Sequence, residues 1–202
     1  MSDFVLETPR LRLRHLRLDE ADIEAISAIF GDPVAMRFFP STYSRSEVEE
    51  FIQRQLNRYA TDGYGLWAIT LKTNEQVIGD CGLARQLVSD TAEVEVGYHV
   101  DRSFQMQGYA IESALGCMKF AFDQLGLSRL VSMVRPENVP SRRVPSLGLC
   151  RCEPQCPEPP SAPPASAVFC PERISHRFGG TAVATLADFA ARELSIPRTL
   201  PS

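Results

Sequence analysis

The distribution of proline divides this chain before any other feature does. Ten of the fifteen prolines lie at or beyond Pro145, and six of them, Pro154, Pro157, Pro159, Pro160, Pro163 and Pro164, fall close together. Each lacks a backbone N–H and fixes φ, so neither a helix nor a central strand can run through that stretch. Regular structure is therefore expected over 1–144 and a Pro/Cys-rich, irregular tail over 145–202, with 150–171 the least regular part. Only Thr181 to Leu194 regains helical spacing, through Val183, Leu186, Phe189, Ala190 and Leu194, so a short helix is expected over 181–194.

Ahead of the break the apolar periodicity is well defined. Leu11 and Leu13 alternate with Arg12 and Arg14 as in a half-buried strand, and the same alternation accounts for the basic run Arg10, Arg12, Arg14, Arg17. Asp19 is placed to cap a helix carrying Ile23, Ile26 and Phe30, which Gly31-Asp32-Pro33 ends. Ser44-Arg45-Ser46-Glu47 has the form of a capping box ahead of the stripe Val48, Phe51, Ile52, Leu56, Tyr59. Three strands follow, 64–71, 77–87 and 92–100, joined by the turns Lys72-Thr73-Asn74-Glu75 and Ser89-Asp90, which predicts an antiparallel meander. A helix from Gly108 to Leu125 keeps Ile111, Ala114, Leu115, Met118 and Phe122 on one face, and Leu130–Val134 reads as a further strand. The order implies an α/β (α+β) class with a mixed, mostly antiparallel sheet flanked by helices.

Composition narrows the function. A content of 44% hydrophobic and 23% charged residues is that of a soluble globular protein, and no apolar run nears the ~20 residues of a membrane span. The acidic start Met1-Ser2-Asp3 lacks the basic region of a secretory signal, so a cytoplasmic location and no membrane partner are expected. A net charge of −4 argues against a nucleic-acid partner. Cys150, Cys152, Cys156, Cys170 and His176 do not have the paired spacing of a zinc site, and no metal is expected.

The stretch with chemical content is Val94 to Ala110: a strand, a short loop, and a glycine-containing turn that opens the long helix. The first amides of a helix have no intrahelical acceptor and lie at the positive end of its dipole, which suits a pyrophosphate. Gly108 allows close approach of the phosphates and Ala110 keeps the first turn open, although an ordinary strand-turn-helix corner has the same outline. Glu93, Glu95, Gly97 and His99 share one face of the strand, so Glu95 is a candidate general base, with His99 as its competitor. Cys81 and Cys117 read as packing residues.

Gln105-x-x-Gly108-x-Ala110 resembles the Q/R-x-x-G-x-G/A signature of the GNAT acetyltransferase superfamily. Leu6-Glu7-Thr8-Pro9-Arg10-Leu11-Arg12-Leu13-Arg14, Glu95-Val96-Gly97-Tyr98 and Asn138-x-x-Ser141 are similar, in order, to motifs of its ribosomal-protein-alanine N-acetyltransferase branch. The resemblance covers about 140 residues and implies a GNAT-like mixed sheet, splayed where acetyl-coenzyme A enters. It implies transfer of an acetyl group to a primary amine, either a protein N-terminus or a small molecule. In that frame Gln105, Met106, Gln107, Gly108, Tyr109 and Ala110 hold the pyrophosphate. The backbone of Tyr98, His99 and Val100 pairs with the pantetheine arm, Asn138 bonds the arm or the substrate, and Ser141 sits near the thioester sulfur as proton donor. Helix capping is the alternative role of Asn138 and Ser141.

The resemblance stops close to Pro145, where the family continues into a helix and two final strands. Those strands are expected to be missing, and a one-base change of reading frame near Pro145 is one origin for such a break. An unpaired sheet edge would then favour substitute pairing, such as a homodimer. The alternative function is an acyl-coenzyme A-binding domain impaired in catalysis because its acceptor half is absent.

Overall fold

A computed structural model describes residues 4–88, 91–135, 137–139, 141 and 166–169. The elements run β1 (Leu6–Glu7), β2 (Leu11–Arg14), α1 (Glu20–Phe30), α2 (Arg45–Thr61), β3 (Leu66–Leu71), β4 (Val77–Val88) and β5 (Thr91–Val100). A single 3-10 turn (Arg102–Phe104), α3 (Tyr109–Asp123), β6 (Leu130–Met133) and β7 (Ser166–Phe169) complete them. The strands form one sheet in the order β1-β2-β3-β4-β5-β6-β7. Every adjacent pair is antiparallel except β5–β6.

The helix ends follow the chemistry of their first residues. Asp19 accepts from the Asp22 amide at the start of α1, and Ser44 with Glu47 forms both halves of a capping box at α2. Asp22 is itself buried, and Arg14 binds it through two nitrogens at 2.7 and 2.6 Å, which ties α1 to β2.

The sheet separates two cores. On one face α3 lays Ala114, Cys117, Met118 and Ala121 over Trp67, Ile69, Leu83 and Val96. On the other, α1 and α2 pack Ile23, Ile26, Phe30, Val48 and Ile52 over Leu66 and Ala68. Gln55, buried in α2, accepts from the Leu66 amide at 3.0 Å, and the Tyr59 hydroxyl donates to the Leu66 carbonyl. Gly82 must be glycine, because a Cβ there would stand 2.1 Å from the Gly65 carbonyl oxygen.

Two expectations change. The segment 150–171 is not wholly irregular: Ser166–Phe169 pairs along the outer edge of β6, from Leu130↔Phe169 to Met133↔Ser166. A four-residue strand needs no helix and no proline-free run beyond its own length, so the clustered prolines do not exclude it. A two-residue strand, β1, also precedes the one read from the Leu/Arg alternation. The helix expected over 181–194 lies outside the described residues, as do Cys150, Cys152, Cys156, Cys170 and His176.

Candidate active site

The loop after β5 folds into a turn through two left-handed residues, Met106 (φ 60°) and Gly108 (φ 82°). For methionine this conformation is unfavourable, and the surrounding hydrogen bonds hold it. Gln105 Nε2 donates to the Val100 carbonyl (2.9 Å) and Gln107 Nε2 to the Ser103 carbonyl (3.0 Å). Both glutamine side chains are therefore used to build the turn, and its ligand-facing groups are backbone. Met106 extends outward, 75% exposed. Gly108 is the N-cap of α3 and makes no side-chain cap. The first intrahelical bond runs from the Glu112 amide to the Gly108 carbonyl (3.0 Å), so the amides of Tyr109, Ala110 and Ile111 have no acceptor within the helix.

A second anchor, between segments about a hundred residues apart, holds this turn from the opposite side of the chain. Glu112, 7% exposed in the first turn of α3, accepts from Thr8 Oγ1 (2.6 Å), the Arg10 amide (2.8 Å) and Arg10 Nε (2.6 Å). Arg10 Nη1 donates to the Gln107 carbonyl at 3.0 Å, and the guanidinium lies 4.3 Å from the centre of the Tyr109 ring. Arg10 Nη2 is 3.4 Å from where a Cβ on Gly108 would stand. A carboxylate in the first turn of a helix and a cation at its mouth reinforce each other, because the buried carboxylate fixes the guanidinium beside the exposed amides. Thr8, Arg10 and Glu112 are not among the expected site residues; Thr8 and Arg10 belong to the motif that carries the resemblance, but no role is expected of them there, and strand alternation accounts for Arg10 as a charge on a half-buried strand.

The cleft beside the turn comes from the geometry of β5 and β6. Their parallel register is fixed at Glu95↔Val131, and β6 ends at Met133. At that register β6 runs out opposite Gly97, leaving the edge of Tyr98, His99 and Val100 without a β6 neighbour. Glu95 occupies the fork. Its Oε1 accepts from the Met133 amide (3.2 Å) and its Oε2 from Gln86 Nε2 (2.9 Å), so the carboxylate takes an amide that would otherwise bond to β5 backbone. Burial raises the Glu95 pKa above the usual carboxylate range, against the lowering effect of those two donors and of His99 and Arg58.

Beyond the fork, Tyr98 turns to the α3 face. Its hydroxyl donates to the Ser141 carbonyl (3.0 Å), and burial pushes its pKa well above the usual value. Asn138 Oδ1 accepts from the Ser141 amide (3.2 Å), the contact of a helix N-cap, so its side chain is engaged locally. Ser141 is held through its backbone at both ends, and its hydroxyl takes no hydrogen bond among the described residues. The structure thus brings Tyr98, Asn138 and Ser141 together.

His99 faces the α1/α2 side, as Glu95 does. It lies opposite Asp80 across the β4–β5 pair, and its Nδ1 is 3.0 Å from Asp80 Oδ1. Between them and Glu95 the floor is glycine: Gly97 pairs with Gly82, and a Cβ on Gly97 would meet only Leu66 Cδ2 at 3.6 Å. Phe30 packs edge-on to the imidazole at 4.8 Å, and Phe39, at 5.1 Å, is 40% exposed at the mouth. Asp80 was also missed. The turn expected at Ser89-Asp90 could have found it, because counting outward from that pair sets Asp80 against His99, the register observed.

A mixed sheet whose β5 edge at Tyr98 to Val100 has no partner among the described residues thus stands beside a helix with uncapped first amides. The sequence matches the family described as acetyltransferase (GNAT) domain over residues 10–146, and the chain belongs to that family. It is 30% identical to the uncharacterized N-acetyltransferase p20 of Bacillus licheniformis over 139 residues, 67% of this chain and 76% of that protein. Its fold is similar to that of an acetyltransferase from Agrobacterium tumefaciens (TM-score 0.67, 28% identity, 81% of this chain and 91% of that one). It also resembles the ribosomal-protein-S5-alanine acetyltransferase of Vibrio fischeri in fold (TM-score 0.59, 16% identity, 72% and 82%). Proteins of this family transfer acyl groups from acetyl-coenzyme A. No described helix is long and apolar enough to cross a membrane.

Proposed function

We propose that this chain acetylates a primary amine, with a protein N-terminus as the acceptor class. The observation that carries the reading is the turn 105–110, in which left-handed Met106 and Gly108 direct backbone amides outward at the start of α3, next to an unpaired edge of β5. These residues fit a diphosphate, because the turn is built by its own side chains, a Cβ at Gly108 would crowd Arg10, and a fixed cation stands beside it. Acetyl-coenzyme A, held there, supplies a thioester open to attack by an amine. The edge at Tyr98 to Val100 would align its pantetheine arm as a missing strand would, with Asn138 beside it, and the hydroxyl of Ser141, which has no hydrogen bond among the described residues, is the candidate proton donor for sulfur. Glu95 and His99, on the α1/α2 face, are the candidate proton acceptors. The motif series at Leu6–Arg14 and Glu95–Tyr98 supports the protein N-terminus.

Calorimetric titration with coenzyme A tests this. The wild-type chain should bind, and Gly108→Val should weaken binding at least about tenfold, because a β-branched residue at positive φ strains the turn by about 1–2 kcal/mol and fills the approach to its amides. Equal affinity for the two proteins, or no binding by either, would sink the reading. A second reading, an acyl-coenzyme A-binding domain impaired in transfer, is favoured by the family match ending at residue 146, which also supports a division of the chain near 144. Acetyl-coenzyme A turnover against a panel of amines separates the two.

A further inference from the structure

Resting on the site read above, we propose that His99, oriented by the buried Asp80, is the group that takes the proton from the acceptor amine, and that Glu95 is the clamp that holds β5 and β6 apart. Three observations converge on the pair. Asp80 is fully buried in β4, and among the described residues its side chain bonds only to His99, with Oδ2 left without a partner. An unpartnered carboxylate oxygen in an apolar layer is costly to maintain, and its place here fixes the neighbouring imidazole. A carboxylate can only accept, so Nδ1 carries the ring hydrogen and the lone pair of a neutral His99 lies on Nε2. Nε2 has no hydrogen-bond partner among the described residues, and the side chain keeps 18% of its surface exposed.

Glu95 differs in the respect that matters. Each of its oxygens already accepts a hydrogen bond, one from the Met133 amide and one from Gln86, which draws on the electron density a base would use and ties the side chain to β6, whereas His99 Nε2 has no such donor among the described residues. Over Gly97 a side chain is missing where a Cβ would meet only Leu66 Cδ2, at 3.6 Å, which leaves space for a primary amine between the carboxylate and the imidazole, and Phe30 and Phe39 pack against the ring. In the reaction the amine nitrogen forms its bond to the acyl carbon while its proton passes to His99 Nε2. The electron pair of the broken carbon–sulfur bond stays on sulfur, which takes its proton from the Ser141 hydroxyl, and the proton on His99 returns through water to Ser141, so that the free thiol leaves and both side chains are restored.

The charged or titratable groups around the ring are Asp80 from β4 and Glu95 from its own strand, with Arg58 of α2 acting on Glu95 and Tyr59 of α2 beside Asp80. Phe30 of α1 and Phe39 of the following loop are uncharged. Burial alone would lower the His99 pKa, but the Asp80 charge and hydrogen bond, helped by Glu95, outweigh it and raise the pKa above the usual 6.5.

The test uses the full chain, acetyl-coenzyme A and a short probe peptide with a free N-terminal alanine. The rate should rise with pH along a limb whose midpoint lies above 6.5. His99→Gln, which can still donate to Asp80, should lower kcat at least about 100-fold and remove the limb while coenzyme A affinity stays within about threefold. Asp80→Asn should move the limb to lower pH. Ring nitrogen NMR at high pH should show the neutral tautomer with hydrogen on Nδ1. A kcat for His99→Gln within threefold of wild type, a limb removed by Glu95→Gln but kept by His99→Gln, or hydrogen on Nε2 would each overturn the proposal while leaving coenzyme A binding, and so the site itself, intact. Failure of the wild-type chain to bind coenzyme A would instead overturn the site and the dyad together.

Discussion

The two sides of the cleft are stabilised in opposite ways. At the mouth of α3 the polar groups are saturated: Glu112 accepts three hydrogen bonds, and Arg10 reaches a carboxylate, a carbonyl and an aromatic ring at once. On the α1/α2 face they are left short: Asp80 keeps one oxygen unpartnered, Glu95 is buried against its charge, and His99 has a nitrogen to spare. The first arrangement suits a site that holds a ligand through fixed backbone groups. The second suits proton transfer, because it places a histidine and a carboxylate with raised pKa values side by side on one face of a strand.

If the mouth owes its shape to saturation, the largest effect should follow from removing the carboxylate that organises it. Glu112→Ala leaves Thr8, the Arg10 amide and Arg10 Nε without their acceptor. Breaking a buried, hydrogen-bonded ion pair costs about 3–5 kcal/mol, and the partial exposure of Arg10 brings the expected loss to about 2–3 kcal/mol. Urea unfolding should show that loss, and coenzyme A affinity should fall with it because Arg10 is freed from beside Gly108. A variant with wild-type stability and affinity would mean that the Thr8–Arg10–Glu112 cluster is incidental to the turn.

The contrast also explains which features could be read from the sequence. Caps are local, so Asp19 and Ser44 were legible with their partners three residues away, and the stripe of α3 gave its buried face. The turn at 105–110 was legible as a turn, whereas left-handed Met106 was not, since no residue type announces it. The Thr8–Arg10–Glu112 anchor joins segments about a hundred residues apart, and the Leu/Arg alternation of the sequence already gave Arg10 a sufficient reason. Asp80 was recoverable from register, yet a strand aspartate shows no sign of burial until the helices that cover it are in place. Asn138 carries the capping contact that was one of its two readings, and Ser141 takes part in that contact through its backbone.

On the underpaired face the effects should be smaller and should depend on pH. His99 has a folded-state pKa above its unfolded value, so its contribution to stability is complete below about pH 6.5 and is lost as pH rises through the raised value. The unfolding free energy of the wild-type chain should therefore fall over that window, by at most about 1.4 kcal/mol per pH unit for one proton. Asp80→Asn removes the charge that raises the pKa and should flatten the slope. A wild-type slope that survives this substitution would assign it to other groups and break the link between Asp80 and His99.

The smallest effect is expected at Glu95, and its sign is what sharpens the comparison. Burial raises the Glu95 pKa, so the folded state holds its proton more tightly than the unfolded chain does, and stability is lost as pH rises from the ordinary carboxylate range through the raised value. Wherever it is ionised, the side chain is thus a liability that its clamp role retains. Glu95→Gln keeps an oxygen to accept from the Met133 amide and removes the charge, so the variant should gain stability at pH 7, below about 1 kcal/mol, and gain nothing at pH 4. Thermal unfolding at the two pH values reads the difference directly. A loss of stability at pH 7 would show that the two donors favour the carboxylate more than burial opposes it, and would put Glu95 with the saturated groups at the other side of the cleft.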